Sequence, residues 1–571
     1  MIDEMKNMST WTIINGKLDF NPPHDIDIVE ACQIESPCKT RCAIFYTLKP
    51  YGCLSQPDLS KILERILHRY TDLVQISRSL IESVWGSYIF WLLEKKTGTS
   101  VLLCDPMQSV RLFYRIGDGV TLIDTAIEKI VPRPIEWNSN YLASACITQF
   151  GSLGETPFSN VKVVPPGHLL EVTKKGLIRT IRVWPMINKN SPCEPVDHTA
   201  TAIASVVDRI ASNHNLMTLS LSGGVDSTAL ALILRGVVGE KMPITGIHLY
   251  SPGSPDQDER KFANIAADTA KISLLNICMD THLPFSKLTL THKPQIISPN
   301  FIFQSINDEI IEILGHQGVI INGQAGDLLF SSAPSSLVVA DALLNEGIRE
   351  AWRVIRDLAS LFNASIPRVC LSAIKSLAGH PSQAQSLFQK QLHELGLISS
   401  DFIDCAFKKD NTEITVDRYR HYPATQEMVA DLEKMISIQP CFSDCAFPRT
   451  LSPLLTLPVV EAALATPIYK HFDGNIDRTI LRHAAGKFGD CEPLWRRSKG
   501  AFDSTLIKGL MKNRTNIESF LLDGVLVQQK ILQKSGIDNA FRRIIAGDVS
   551  AAISLALPLC VEMFCNAWKD W

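Results

Sequence analysis

The apolar run Met217 to Leu221 passes directly into Ser222-Gly223-Gly224-Val225-Asp226-Ser227 and then into the helix-forming stretch Thr228 to Leu232. A strand that enters a helix through two glycines is a strand–loop–helix unit, the building block of a parallel α/β sheet. The glycines let backbone amides close around an anion, Ser222 and Ser227 add hydroxyl donors, and the helix N-terminus supplies partial positive charge. Bare phosphate would repel Asp226. Its carboxylate makes sense if it holds a magnesium ion that bridges phosphate oxygens. The Lys-Ser/Thr ending of a Walker A loop is missing, which argues against simple cleavage of a γ-phosphate.

Other segments extend this unit into a sheet. Ile244 to Leu249 and Gly318 to Ile321 read as buried strands, and Ala229 to Gly236 as the helix that follows the loop. A chain of 571 residues exceeds one ordinary core, so two domains are expected. The break falls in the polar, proline-punctuated stretch Met186 to Asp197, just ahead of a helical pattern from Thr199 to Ser212. Before it, the β-type runs Trp85 to Leu92, Ser100 to Cys104 and Leu112 to Tyr114 predict a sheet-rich domain. The expected domains are residues 1–190 and 196–571.

Composition removes several function classes. A net charge of −3 supplies no global field for nucleic acid or an anionic membrane, so neither is an expected partner. Asp3 and Glu4 stand where a signal peptide would be basic, which predicts a cytoplasmic protein. The apolar run Ala551 to Cys560, punctuated by Ser554 and Pro558, reads as too short to span a bilayer. Fifteen scattered cysteines suggest reduced thiols. The pairs Cys38 with Cys42 and Cys441 with Cys445 lack the spacing of a zinc site.

The string Ser222 to Ser227 resembles the pyrophosphate loop of ATP pyrophosphatases, which cleave ATP to AMP and pyrophosphate. Ile320-Ile321-Asn322-Gly323-Gln324-Ala325-Gly326-Asp327-Leu328-Leu329-Phe330 is similar to the second ATP loop of asparagine synthetases. Alone, Asp327 could equally cap a helix. The resemblance makes it the second carboxylate on magnesium, opposite Asp226. It also implies ATP binding by Ser222, Gly223, Gly224, Val225, Asp226, Ser227, His248, Gly323 and Gln324.

Pro453-Leu454-Leu455 with Val459 to Leu464 resembles the helical segment of the same family that precedes a basic motif. That motif follows as Trp495-Arg496-Arg497-Ser498-Lys499-Gly500-Ala501-Phe502. By resemblance Lys499 is catalytic with Asp226 and Asp327: a fixed cation beside the α-phosphate stabilises charge that develops in the transition state. Arg496 or Arg497 is the alternative, and a solvated basic turn the reading without function.

The first domain resembles glutamine amidotransferases through Trp85 to Phe90, Cys104-Asp105-Pro106, Leu112-Phe113-Tyr114 and Val164 to His168. The implied fold is an Ntn-type αββα sandwich, joined to a parallel α/β ATP-pyrophosphatase domain with helical additions. Such domains use a cysteine at the N-terminus as nucleophile. Met1, Met5 and Met8 are followed by Ile2, Lys6 and Ser9, so glutaminase activity is not expected and the attacking amine must come with the substrate.

Relatives without that cysteine include β-lactam synthetases and lasso peptide cyclases. Phe472-Asp473 with Arg478, then Phe488-Gly489-Asp490, then Leu494 to Lys499, resembles the cyclases. The resemblance implies a core peptide as substrate, with a leader peptidase and a leader-recognition protein as partners. An Asp or Glu side chain of the peptide is adenylated and captured by its own N-terminal amine. Gln324 stands where asparagine synthetases have glutamate and β-lactam synthetases tyrosine, and glutamine cannot serve as a base. Neither His316 nor His421 is assigned that role. The alternatives are a synthetase acting on a small metabolite and a non-catalytic scaffold for a peptide-processing protease.

Overall fold

A computed structural model describes residues 11–14, 17–19, 28–36, 40–48, 56–117, 120–185, 194–214, 216–240, 242–252, 258–315, 318–378, 383–409, 422–441, 444, 447–497, 500 and 503–571. The first part is built from antiparallel strands: β1 (Trp11–Ile14), β2 (Lys17–Asp19), β3 (Ile28–Glu35), β4 (Arg41–Leu48), β5 (Tyr88–Glu94) and β6 (Thr99–Cys104). β7 (Phe113–Gly117), β8 (Val120–Asp124), β9 (Lys162–Val163), β10 (His168–Val172) and β11 (Ile178–Arg182) complete it. They form two sheets, ordered β2-β1-β8-β7-β9 and β11-β10-β6-β5-β4-β3.

The period of two along a strand sorts their side chains between two cores. Ile89 and Trp91 of β5, with Leu102 and Cys104 of β6, face the five-stranded sheet and meet Tyr114 and Ile123. Tyr88, Phe90 and Leu92 face the other way, packing with Leu63, Leu80 and Ile81 from helices Gln56–Arg69 and Leu73–Ser83. Beyond the five-stranded sheet, Phe113 and Leu122 pack with helix Ser139–Thr148. The layers are thus helix, sheet, sheet, helix. The strand expected from Trp85 starts only at Tyr88, because Gly86 takes φ 127°, outside the extended range.

Helix Pro195–Asn213 leads into the second part. There β12 (Met217–Ser220), β13 (Ile244–Tyr250), β14 (Ser273–Cys278), β15 (Val319–Ile321) and β16 (Thr450–Leu451) lie parallel in the order β14-β13-β12-β15-β16. The chain runs from β12 outward to β14, then returns to β12's other side with β15. A reversal of this kind opens a crevice at the carboxyl ends of the two strands where it occurs. Met217 pairs with Val319 and Leu219 with Ile321, so the loops after β12 and β15 leave the sheet side by side.

Buried charges join the two parts. Arg111 Nη2 donates to the carbonyls of Ile436 (2.9 Å), Ser437 (3.0 Å) and Gln439 (2.7 Å) at the end of helix Pro423–Ser437. Arg182 pairs with buried Glu433 of that helix.

The apolar C-terminal run corrects one expectation. Ser554 and Pro558 do not end it: helix Val549–Trp568 continues for 20 residues, long and apolar enough by composition to cross a membrane. Within this fold 72% of its apolar window is buried, against Phe158 and the surrounding helices, so it serves as a core helix. Packing over most of its surface, Pro558 included, outweighs the proline penalty. All eleven described cysteines are free, and no cluster of three or more metal-ligating side chains exists among the described residues.

Candidate active site

The loop after β12 is held by its neighbours before any ligand is considered. Leu221 N donates to Ile247 O at 2.8 Å, and the His248 ring contacts Leu221 O through Nδ1 at 2.9 Å. A carbonyl only accepts, so Nδ1 carries the proton and Nε2 is left as an acceptor. Gly223 takes φ 78°, and a Cβ there would meet Ala263 N at 2.7 Å and Phe262 C at 2.9 Å. No other residue fits that turn. Helix Val225–Val238 follows; Ser222 Oγ and Ser227 Oγ lie 3.1 Å apart at its mouth, and Gly224 N donates to Ser222 Oγ at 3.2 Å. Val225's side chain is buried in the core, so only its backbone faces a ligand.

The second loop packs onto the first. Asn322 Oδ1 accepts from Gln324 N (3.2 Å) and Ser452 Oγ (2.8 Å), which shapes the turn after β15. A Cβ on Gly323 would meet Asp226 Cβ at 2.9 Å, and one on Gly326 would meet Asp226 Cγ at 2.5 Å. These glycines are small so that Asp226 can sit between the loops. Asp327, in the first turn of Gly326–Leu329, reaches the same place.

Both carboxylates converge on one guanidinium. Arg478 Nη1 donates to Asp226 Oδ2 at 3.1 Å and also to Asp327 Oδ1, while Nη2 pairs with Asp477 at 2.9 Å. Burial acts against the charge on Arg478, but Asp226, then Asp477 and Asp327, hold its pKa above the ordinary arginine value. The sequence pattern places Arg478 only in a family signature. Its position before helix Thr479–Gly486 gives no hint that it closes over the phosphate loop.

Lys499 lies outside the described residues, as do His316 and His421. On either side of it, Arg496 Nη2 and Gly500 N (2.8 Å) both bond Glu259 Oε1. Arg496 Nη1 also donates to Gly223 O at 3.3 Å, and its guanidinium lies 3.8 Å from the Phe262 ring centroid. Arg496 is therefore a clamp on the phosphate loop, with its charge paired to Glu259. The remaining signature supports the same helix: Phe488 packs over Gly236, where any Cβ would overlap it, and Trp495 Nε1 donates to Asp490 at 2.6 Å.

The residues present suit ATP and magnesium. His248 is 2% exposed, burial lowers its pKa, and its Nε2 has no hydrogen-bond partner among the described residues, which leaves a neutral acceptor beside the phosphate loop. Asp226 and Asp327 both bond one cationic nitrogen, and carboxylates from two loops are the hard oxygen donors that would hold a divalent ion whose shell phosphate and water complete. Gln324 Nε2 lies 3.7 Å from Met435 Sδ, and its side chain lines a cavity beside the sheet edge.

Residues 201–299 match the asparagine synthase family. The asparagine synthase match spans β12, the phosphate loop, β13, His248 and β14, and supports ATP-dependent amide synthesis in the domain it covers. None of the curated proteins compared matches the chain. Among solved structures, the chain is similar to an allosteric regulatory enzyme of purine biosynthesis at 12% identity, over 46% of this chain and 64% of that one, with a TM-score of 0.19. It is also similar to glutamine phosphoribosylpyrophosphate amidotransferase from B. subtilis, complexed with ADP and GMP, at 11% identity, over 57% and 62%, with a TM-score of 0.18. The chain spans less than two thirds of either, and scores this low carry no weight for fold or function.

Proposed function

We propose that the chain is an ATP-dependent lasso peptide cyclase that closes a macrolactam ring in a core peptide. The convergence of Asp226 and Asp327 at the crevice between β12 and β15 is the observation that supports ligase chemistry most. The tail signature from Phe472 to Lys499 favours a peptide substrate. On this reading the four layers of the first part are an amidotransferase-type sandwich whose internal Cys32 is buried beside Ser60 and offers no nucleophile.

The loop amides, Ser222 and Ser227 would orient the phosphates of ATP. An Asp or Glu side-chain oxygen of the peptide attacks the α-phosphorus, and the bond to pyrophosphate breaks. The peptide's N-terminal amine then attacks the acyl carbon, AMP leaves with the bonding electron pair, and the amine loses a proton. Magnesium, held by Asp226 and Asp327, would neutralise charge on the departing pyrophosphate. Arg478 sits between the same two carboxylates and would keep them placed, while Lys499 would stabilise the α-phosphate. Confining the carboxylate and amine of one chain makes the attack intramolecular, which lowers the barrier by several kcal/mol. A leader peptidase and a leader-recognition protein would deliver the peptide in the cytoplasm.

The test is mass spectrometry of a candidate core peptide incubated with the protein, its leader peptidase, ATP and magnesium, with Asp226→Ala alongside. Loss of one water from the peptide, AMP in equal amount and an inactive variant are expected. AMP without a dehydrated peptide would retain the ligase and overturn the cyclase.

A further inference from the structure

A cavity of about 360 Å³ lies where the first part of the chain meets the carboxyl edge of the parallel sheet. Trp85 and the turn Asp105 to Ser109 form one wall. Ser220, Asn322, Gln324 and Ser452 at the strand ends form the floor, next to the phosphate loop. Phe303, Ile306 and Ile310, from the segment preceding β15, supply an apolar side.

Its lining is poor in charge. No lysine, arginine, histidine or glutamate lines it among the described residues, and its single acid is Asp105. Burial raises that carboxyl to about 7, and Ser109 Oγ donates to it at 2.5 Å. Six carboxamides line the space instead: Gln108, Asn300, Asn307, Asn322, Gln324 and Gln439. Gln108 is occupied by Val164 O at 2.6 Å, and Asn322 by its own turn. Asn300 and Asn307 spend no side-chain hydrogen bond on the protein among the described residues.

A carboxamide offers one donor group and one acceptor, the complement of a peptide bond. A free amino acid would bring an α-carboxylate into a space that offers it no cation, where a buried, unpaired charge is costly. We propose that this cavity seats an uncharged stretch of peptide beside the carboxylate to be activated, with the first part of the chain as a specificity wall. The assignment deepens the amide-ligase reading and rests on it. It also gives the amidotransferase-like part a role that requires no nucleophile.

The full chain is incubated with ATP, magnesium and a library of N-acetylated, C-amidated octapeptides carrying one Asp in otherwise random sequence. Retained peptides are sequenced by mass spectrometry. Wild type should enrich uncharged residues beside the Asp. Ile310→Trp, which fills the cavity, and Asn307→Asp, which adds a charge at constant volume, should each cut retention at least tenfold while binding of a fluorescent ATP analogue is unchanged. If Ile310→Trp loses ATP binding, Asn307→Asp decides alone. No retention by wild type, retention indifferent to Asn307→Asp, or saturation by free aspartate each overturns the cavity. Selective retention without AMP release would leave the cavity standing and remove the ligase reading.

Discussion

Arg478 Nη1 lies 3.1 Å from Asp226 Oδ2, and the same nitrogen bonds Asp327, so a single buried guanidinium closes over both carboxylates of the phosphate site. Removing it would take one cation from Asp226, Asp327 and Asp477, of which Asp477 keeps its pair with Arg482. Breaking such a partly buried pair from one side costs about 3–5 kcal/mol, less whatever the more exposed Asp327 recovers from solvent. Arg478→Met should therefore melt at lower temperature than wild type, and millimolar magnesium should return part of the loss by occupying the vacated charge. Thermal unfolding with and without magnesium checks this; a variant indifferent to the ion would show that the carboxylates do not share a cation site.

Gly326 is the tightest point between the loops. A Cβ there would lie 2.5 Å from Asp226 Cγ and 2.9 Å from Leu454 Cδ1, so Gly326→Ala must displace the aspartate. Misplacing a catalytic group by about 1 Å can cost on the order of 100-fold in rate. AMP formation should fall by about that factor with far-UV circular dichroism unchanged. Wild-type turnover in this variant would mean that the position of Asp226 does not limit the reaction.

What the sequence could reveal depended on how locally each feature is encoded. The strand, glycine loop and helix from Met217 to Val238 are contiguous, so their succession could be read directly from the residues. Asp327 could be singled out only through the resemblance of its loop to a family's second ATP loop, and the pairing of β15 with β12 sets that loop beside the first. Arg478 is separated from Asp226 by 252 positions, and nothing in the pattern of helix Thr479–Gly486 ties it to the loop. The cavity draws its lining from several distant segments, so no spacing rule could assemble it. Run length misled at Pro558, where packing decides whether a helix continues.

Arg496 should matter through the loop it holds. Its guanidinium pairs with Glu259, whose side chain is 12% exposed, and donates to Gly223 O at 3.3 Å. Arg496→Met leaves Glu259 buried without its cation and frees the glycine turn. A loss of about 3 kcal/mol in stability is expected, together with a rise of tenfold or more in KM for ATP. Adding Glu259→Gln should recover stability but not KM, because the glutamine cannot restore the contact to Gly223. Denaturant titration and ATP kinetics on the single and double variants separate the two effects, and unchanged ATP kinetics in the single variant would reduce Arg496 to a purely structural ion pair.

Glu461 links helix Leu457–Ala465 to the first part of the chain, accepting from Trp184 Nε1 at 3.3 Å. Burial raises its carboxyl to about 7 from an ordinary value of 4.5, and the Trp184 bond only partly opposes that rise. The folded state therefore holds this proton more tightly than the unfolded chain does. The stability it contributes is complete below pH 4.5 and is lost as the pH rises through 7. Each tenfold difference in proton affinity between the folded and unfolded chain is worth about 1.4 kcal/mol, so the loss amounts to roughly 3 kcal/mol across that window. Glu461→Gln keeps an acceptor for Trp184 and cannot ionise, so its stability relative to wild type should rise between pH 5 and pH 8. Urea unfolding at intervals of one pH unit measures the difference directly. A gap that stays constant with pH would show that Glu461 is ionised throughout and that its junction with Trp184 is open to water.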